Sequence, residues 1–143
     1  MNVKTYLNQY KQAYGRVRRY EERLGQLSYL KAITIDGLPR STKTGKPTEL
    51  NAIKLADIRD NLKRLINEAE LTRQKIADEI EQLEDPRYKE LLFSRYIMLL
   101  PWEDVTVRVS MSCRPNKFYD VKHISGPMHY NALKEFERRI NEL

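Results

Sequence analysis

Apolar residues recur three and four positions apart along the start of the chain, which is the spacing of one face of a helix. The positions are Val3, Tyr6, Tyr10, Ala13, Val17, Tyr20, Leu24 and Leu27. A seam of this kind is typical of helices that pack against another helix. We therefore predict a long N-terminal helix that ends near residues 36–39, where Gly37 and Pro39 disfavour further helix.

The same spacing resumes after a polar linker that we place at residues 41–48. The second seam consists of Leu55, Ile58, Leu62, Leu65, Ala69, Thr72 and Ile76, followed by Ile80 and Leu83. Two helices with narrow seams, joined by a linker with Gly and Pro, favour an antiparallel, coiled-coil-like hairpin over residues 1–84. A second copy of the chain is an alternative cover for the seams, which would make the hairpin a dimerisation arm.

The pattern changes at Asp85, and residues 85–143 are predicted to form a separate module. Pro86 favours the first turn of a new helix. The apolar face of that helix comprises Leu91, Leu92, Tyr96 and Ile97. A second helix is predicted from Trp102, with Val105 and Val109 on its apolar face.

The stretch 112–124 mixes cationic and hydrogen-bonding side chains with apolar ones. Its polar members are Arg114, Asn116, Lys117, Tyr119, Lys122 and His123, and its apolar members are Phe118, Val121 and Ile124. Ser112 is a suitable N-cap, so we predict a helix over 113–124 with its apolar face inward. Together with the helix from Trp102 it would form a helix-turn-helix, whose second helix enters the major groove of DNA. The six polar residues are the candidate DNA-binding residues.

Gly126 and Pro127 predict that this helix stops and that another starts. The last helix would cover residues 127–140, with Leu133, Phe136 and Ile140 on its apolar face.

Composition supports an all-α chain, because strict alternation of polar and apolar residues is almost absent and only five Gly and six Pro occur. The net charge of +6 is uneven: residues 1–48 contain ten Lys and Arg against three Asp and Glu. A basic excess favours a polyanionic partner, and we expect double-stranded DNA.

Candidate catalytic chemistry is weak. Glu103 and Asp104 are adjacent, so on a helix they point about 100° apart, which is a poor arrangement for an acid–base pair. Cys113 is the single cysteine, and without a cysteine pair His123 and His129 do not suggest a metal site. We expect no enzymatic activity, no cofactor and no metal, and we predict that both histidines face solvent or DNA. No apolar run approaches the ~20 residues of a membrane span, so we expect a cytoplasmic protein with no membrane partner.

Five short motifs resemble a known family. They are Asp85-Pro86-Arg87-Tyr88, Leu91-Leu92, Arg95-Tyr96-Ile97, Trp102-Glu103-Asp104-Val105 and His129-Tyr130-Asn131-Ala132-Leu133. These motifs are similar to the C-terminal module of small phage-encoded regulators of the ArpU/RinA/LtrC type, which in turn resemble region four of bacterial sigma factors. The resemblance implies a phage or mobile-element transcription regulator that binds promoter DNA in a bacterial host cell, with RNA polymerase or another regulator as a further partner.

The chain departs from the family pattern between Ser112 and Ala132, where the interval is longer and contains Pro115 and Gly126-Pro127. Either 113–124 or 127–140 would then be the recognition helix, and we favour 113–124 for its basic side chains. Two other functions stay open. One is a DNA-packaging subunit of the small-terminase type, and the other is a protein-interaction factor with a degenerate helix-turn-helix.

Overall fold

The computed structural model describes residues 2–37, 45–113 and 118–142, with the backbone alone described at 28–37 and 45–51. Every regular element in these ranges is a helix, which confirms the predicted all-α class. The chain divides into two compact units. Unit 1 consists of Met1–Gln12 with Leu71–Leu143, and unit 2 is Ala13–Glu70.

Unit 2 contains parts of two long helices, α2 (Gln9–Gly37) and α3 (Gly45–Glu81). Its buried apolar side chains are Val17, Leu55, Ile58, Leu65 and Ala69. All five belong to the two predicted seams, so the helical periodicity identified the inward positions correctly. The linker prediction was too long, because residues 45–48 are already helical. Residues 41–44 lie outside the described part of the chain.

The N-terminal seam begins in a separate short helix, α1 (Val3–Leu7). Asn2 caps it, because its side chain accepts a hydrogen bond from the Thr5 N–H at 3.3 Å. Asn8 forms a turn between α1 and α2, yet its N–H still donates to the Lys4 carbonyl at 2.9 Å. The predicted single helix is thus interrupted at Asn8. Val3 and Leu7 are buried in the core of unit 1.

The core of unit 1 draws on α1, the end of α3 and all later helices. These are α4 (Pro86–Leu92), a π-helical turn (Phe93–Ile97), α5 (Trp102–Ser112), α6 (Val121–His123), a second π-helical turn (Ile124–Met128) and α7 (His129–Glu142). The buried residues include Leu7, Ile76, Ile80, Leu83, Leu91, Leu92, Val105, Val109, Ile124, Ala132 and Phe136. Because α1 and the end of α3 share this core, the compact units differ from the predicted division into 1–84 and 85–143.

The helix from Pro86 follows the prediction closely. Asp85 is its N-cap, and the Asp85 carboxylate accepts the Arg87 N–H at 2.9 Å. The predicted apolar face is confirmed, since Leu91, Leu92, Tyr96 and Ile97 are all buried. Leu91 and Leu92 lie five positions before Tyr96 and Ile97. A π-helical turn contains about one residue more than an α-helical turn, so residues five apart face the same core.

The π-helical turn ends at Ile97 with Met98 as its C-cap, and the next residue, Leu99, has a φ of 57°. A left-handed residue is a common way to terminate a helix, although Leu tolerates it less readily than Gly. This conformation turns the next peptide so that the Leu100 N–H donates to the Ser94 carbonyl at 3.1 Å. The Leu100 carbonyl in turn accepts a hydrogen bond from Arg95 Nη1 at 3.0 Å.

The predicted break at Gly126-Pro127 is wrong. Helix α6, the second π-helical turn and α7 follow one another without a gap over residues 121–142, and we call this stretch the α6–α7 helix. Proline lacks the N–H of a regular helical bond and its ring collides with the preceding turn. The wider π-helical turn around Pro127 accommodates both defects, with the His129 N–H donating to the Ile124 carbonyl.

Candidate nucleic-acid interface

The α6–α7 helix starts at Asp120 and not at Ser112. The Asp120 side chain accepts the Lys122 N–H at 3.4 Å, and its carbonyl accepts the N–H of Ile124 at 3.1 Å. Residues 118–120 are not helical, so the predicted single helix over 113–124 is wrong. The cause is that Asp120 is also a good N-cap. Its backbone is extended, with a ψ of 144°, and the helix begins at the next residue.

Tyr119 anchors the segment before this helix. Its N–H donates to Ser110 Oγ of α5 at 3.1 Å, and its hydroxyl accepts a hydrogen bond from Arg87 Nη1 of α4 at 3.4 Å. Its ring stacks on that of His123, with centroids 5.5 Å apart. The side chain is half-buried. Tyr119, predicted as a DNA contact, therefore also positions the helix start against α4 and α5.

Arg87 is itself held by the helix cap. Its Nη2 lies 2.8 Å from Asp85 Oδ2, and this hydrogen-bonded partner lowers the pKa of the Asp85 carboxyl. The same pair raises the pKa of Arg87. Both residues belong to the Asp85-Pro86-Arg87-Tyr88 motif, so one function of that motif is to fix the guanidinium that contacts Tyr119.

Lys122 and His123 are exposed at the N-terminal end of the α6–α7 helix. Further along the helix, the exposed residues with polar groups include Tyr130, Asn131 and Lys134. We call these five residues the outer face. The Lys134 ammonium lies 4.7 Å from the centre of the Tyr130 ring, a cation–π contact between two exposed side chains.

Carboxylates flank the outer face, with Asp120 two residues before Lys122 and Glu137 three residues after Lys134. No Asp or Glu occurs between residues 121 and 134. Within the described residues, Lys122 and Lys134 form no ion pair, whereas several arginines of unit 1 do. They include Arg87 with Asp85 at 2.8 Å, Arg108 with Glu90 at 2.7 Å, Arg138 with Glu135 at 2.6 Å and Arg139 with Glu84 at 2.6 Å.

His129 contradicts the prediction that both histidines face solvent or DNA. It is 6% exposed, and its Nε2 shares a hydrogen bond of 2.7 Å with the Tyr96 hydroxyl. The Trp102 ring meets it edge-on at 4.8 Å. Burial, with the nearby charges of Lys4 and Arg95, lowers the pKa of His129 to about 4, so the ring is neutral at physiological pH. Its neighbour in sequence, Tyr130, is 57% exposed.

Phe118 was also placed on the wrong side. We predicted it on an apolar face with Val121 and Ile124, and only Ile124 is fully buried, with Val121 half-buried. Phe118 is 93% exposed, because it precedes the helix and does not share its face. The candidate residues Arg114, Asn116 and Lys117 lie outside the described residues.

Tyr130, Asn131 and Lys134 are candidate contacts that the favoured prediction omitted. Lys134 lies three and four positions after Asn131 and Tyr130, so the three share one face of a helix over 127–140. They are the expected contacts of the alternative assignment, in which 127–140 is the recognition helix.

The described residues contain no group of three or more His, Cys, Asp or Glu arranged to hold a metal ion. Nor do they include a helix with the length and apolar character to cross a membrane. No protein-family model matches the chain, and neither a curated protein nor a solved structure matches it.

Proposed function

We propose that this protein is a phage or mobile-element transcription regulator that binds double-stranded DNA through a sigma-like helix-turn-helix. In this proposal α5 is the first helix and the α6–α7 helix is the recognition helix, which inserts its N-terminal half into the major groove. The residues at the start of such a helix contact bases and phosphates. In this proposal the DNA contacts are Lys122, His123, Tyr130, Asn131 and Lys134, together with Arg114, Asn116 and Lys117.

The observation that supports this proposal best is the outer face of the α6–α7 helix. It is exposed over about three turns, includes two lysines, and has no carboxylate between residues 121 and 134. A surface helix of an ordinary soluble protein usually alternates charges of both signs. Two lysines, a histidine, an amide and an aromatic hydroxyl on one face suit a polyanion that also offers base edges.

The proposal includes a finer arrangement of the fold. The two seams of α2 and α3 would form an antiparallel hairpin, which serves as an oligomerisation arm. Exposed apolar residues on α3 favour this role, since Ile53 is 58% exposed and Ile66 is 44% exposed. A homodimer would cover them and present two helix-turn-helix modules to two half-sites. RNA polymerase or another regulator is the further partner that this proposal includes.

Binding of the full-length chain to a fluorescent random-sequence duplex, followed at several salt concentrations, tests the proposal. Lys122→Ala and Lys134→Ala should each weaken binding and reduce the salt slope by about one per lost phosphate contact. Lys63→Ala is the matched control, because Lys63 is an exposed lysine of α3 in a net-acidic stretch. Absence of binding at low salt, or equal behaviour of all three variants, would overturn the proposal.

A second candidate is a protein-interaction factor with a degenerate helix-turn-helix. Three exposed apolar side chains favour it, namely Val107 at 57%, Met111 at 68% and Phe118 at 93%. The first two lie four apart on α5 and so share one face of that helix. The same duplex titration separates the two candidates, because an interaction factor would leave DNA unbound at low salt.

A further inference from the structure

A second basic surface of unit 1 is concave. A cavity of about 370 Å³ lies among α1, the start of α2, the first π-helical turn and the α6–α7 helix. Its polar lining includes Lys4, Asn8, Lys11, Arg95 and Ser125, beside the hydrogen-bonded pair of Tyr96 and His129. Its apolar wall includes Leu99, Leu100 and the Trp102 ring. We call it the basic cavity. Its volume falls in the range of ordinary small-ligand sites.

Three cations and no carboxylate line the basic cavity. Lys4 and Lys11 form no ion pair with any described residue, and both are exposed to solvent at the cavity. Like charges placed together raise the free energy of the folded chain unless an anion neutralises them. Burial is the main cause of the lowered pKa of His129, and the positive charges of Lys4 and Arg95 lower that pKa further.

Arg95 is held in a fixed orientation at the cavity. Its guanidinium carbon lies 4.3 Å from the centre of the Trp102 ring, and its Nη1 donates to the Leu100 carbonyl. A guanidinium has five N–H donors, so several stay available after that bond. Preorganised donors of this kind bind anions with little further loss of side-chain entropy. The Asn8 amide and the Ser125 hydroxyl add donors to the same wall.

We propose that the basic cavity binds a small phosphate monoester through Lys4, Lys11 and Arg95. The doubly charged phosphate group matches three cations better than a carboxylate does, and its oxygens accept hydrogen bonds from ammonium and guanidinium groups. The organic part of the ligand then lies against Leu99 and Leu100. The concave shape receives a terminal phosphate, in contrast to the continuous backbone of a duplex. This site is separate from the outer face and does not depend on the proposed DNA binding.

Calorimetric titration of the full-length chain with adenosine 5′-monophosphate, in a buffer without phosphate, tests the proposal. We expect one site per chain, and Lys4→Ala or Lys11→Ala should weaken it by about tenfold or more, the effect of losing one charge-assisted hydrogen bond. Inorganic phosphate should compete with the nucleotide. Lys63→Ala is the control for loss of a surface lysine and should bind as the wild type does.

Several results would overturn the proposal. They are no saturable binding of the nucleotide, equal binding of the uncharged parent adenosine, or binding that survives both Lys4→Ala and Lys11→Ala. A further contrary result is that these two variants weaken duplex binding while the nucleotide does not bind. The basic cavity would then be an extension of the DNA-binding surface.

Discussion

The α6–α7 helix buries one face and exposes the other, and the two histidines of the chain lie on opposite sides of it. His129 is packed among Tyr96, Trp102 and the core, whereas His123 is exposed beside Tyr119. The inner face continues with Ile124, Met128, Ala132 and Phe136, all of them buried. The buried histidine therefore contributes to the stability of the fold, whereas the exposed one is available to contact a partner. Mutations on the inner face should change stability, and mutations on the outer face should change binding.

The largest expected effect is on the inner face. Phe136→Ala should lower the free energy of unfolding by about 3–5 kcal/mol, because it removes a fully buried aromatic ring and leaves a cavity. Phe118→Ala is the matched control with the same change of side chain. Since Phe118 is almost fully exposed, its replacement should change stability by less than about 0.5 kcal/mol. Similar losses in both variants by urea denaturation would show that the two faces are misassigned.

A pH dependence should follow from His129. Its pKa is about 4 in the folded chain and about 6.5 when unfolded, so between these values the unfolded chain binds the proton and the folded chain does not. Stability from this residue is therefore complete above about pH 6.5, falls as the pH drops, and is lost in full below about pH 4. The loss should reach up to about 3 kcal/mol.

Urea denaturation at several pH values measures this loss, and carboxyl groups contribute to it as well. The comparison with His129→Gln isolates the histidine, because the variant should show a smaller decline between pH 6.5 and 4. His123→Gln, the control on the outer face, should decline as the wild type does. If the stability of His129→Gln declined with pH as steeply as that of the wild type, the His129 ring would not be the cause of the pH dependence.

The smallest expected effect on stability is on the outer face. Asn131→Ala should change the free energy of unfolding by less than about 0.5 kcal/mol, because the side chain is exposed. Duplex affinity should nevertheless decrease, since Asn131 lies among the proposed DNA contacts. Asn141→Ala replaces another exposed asparagine of the same helix, near its end, and should alter neither property. Equal duplex affinity of the two variants would remove Asn131 from the interface.

Sequence periodicity predicted the interior of both long helices and of α4 and α5. It succeeded at Leu91, Leu92, Val105 and Val109 because an uninterrupted helix starts at a recognisable cap or proline, which sets the register of every later residue. The Pro86 start and the Leu99-Leu100-Pro101 end were both recognisable in this way.

The prediction failed where two starts competed. Ser112 and Asp120 are both suitable N-caps, and the choice between them decides which side chains face inward over the next turns. Choosing Ser112 misplaced Phe118. The continuity of the α6–α7 helix was not predicted either. A proline inside a helix normally ends it, and the sequence does not indicate that a π-helical turn forms around Pro127.

Part of the polar lining of the basic cavity follows a helical spacing in the sequence. Lys4, Asn8 and Lys11 are spaced four and three apart, as expected for one helix face. Arg95 comes from a distant part of the chain, and its position beside them depends on how α1 packs in the unit 1 core. Local patterns do not contain that information.

The most direct test of the proposed DNA-binding face is to map the amide resonances of the full-length chain by NMR while a random-sequence duplex is added at low salt. We expect the largest shifts between residues 118 and 134, with residues 52–70 of α3 little changed. Duplex binding that leaves residues 118–134 unshifted would contradict the proposal.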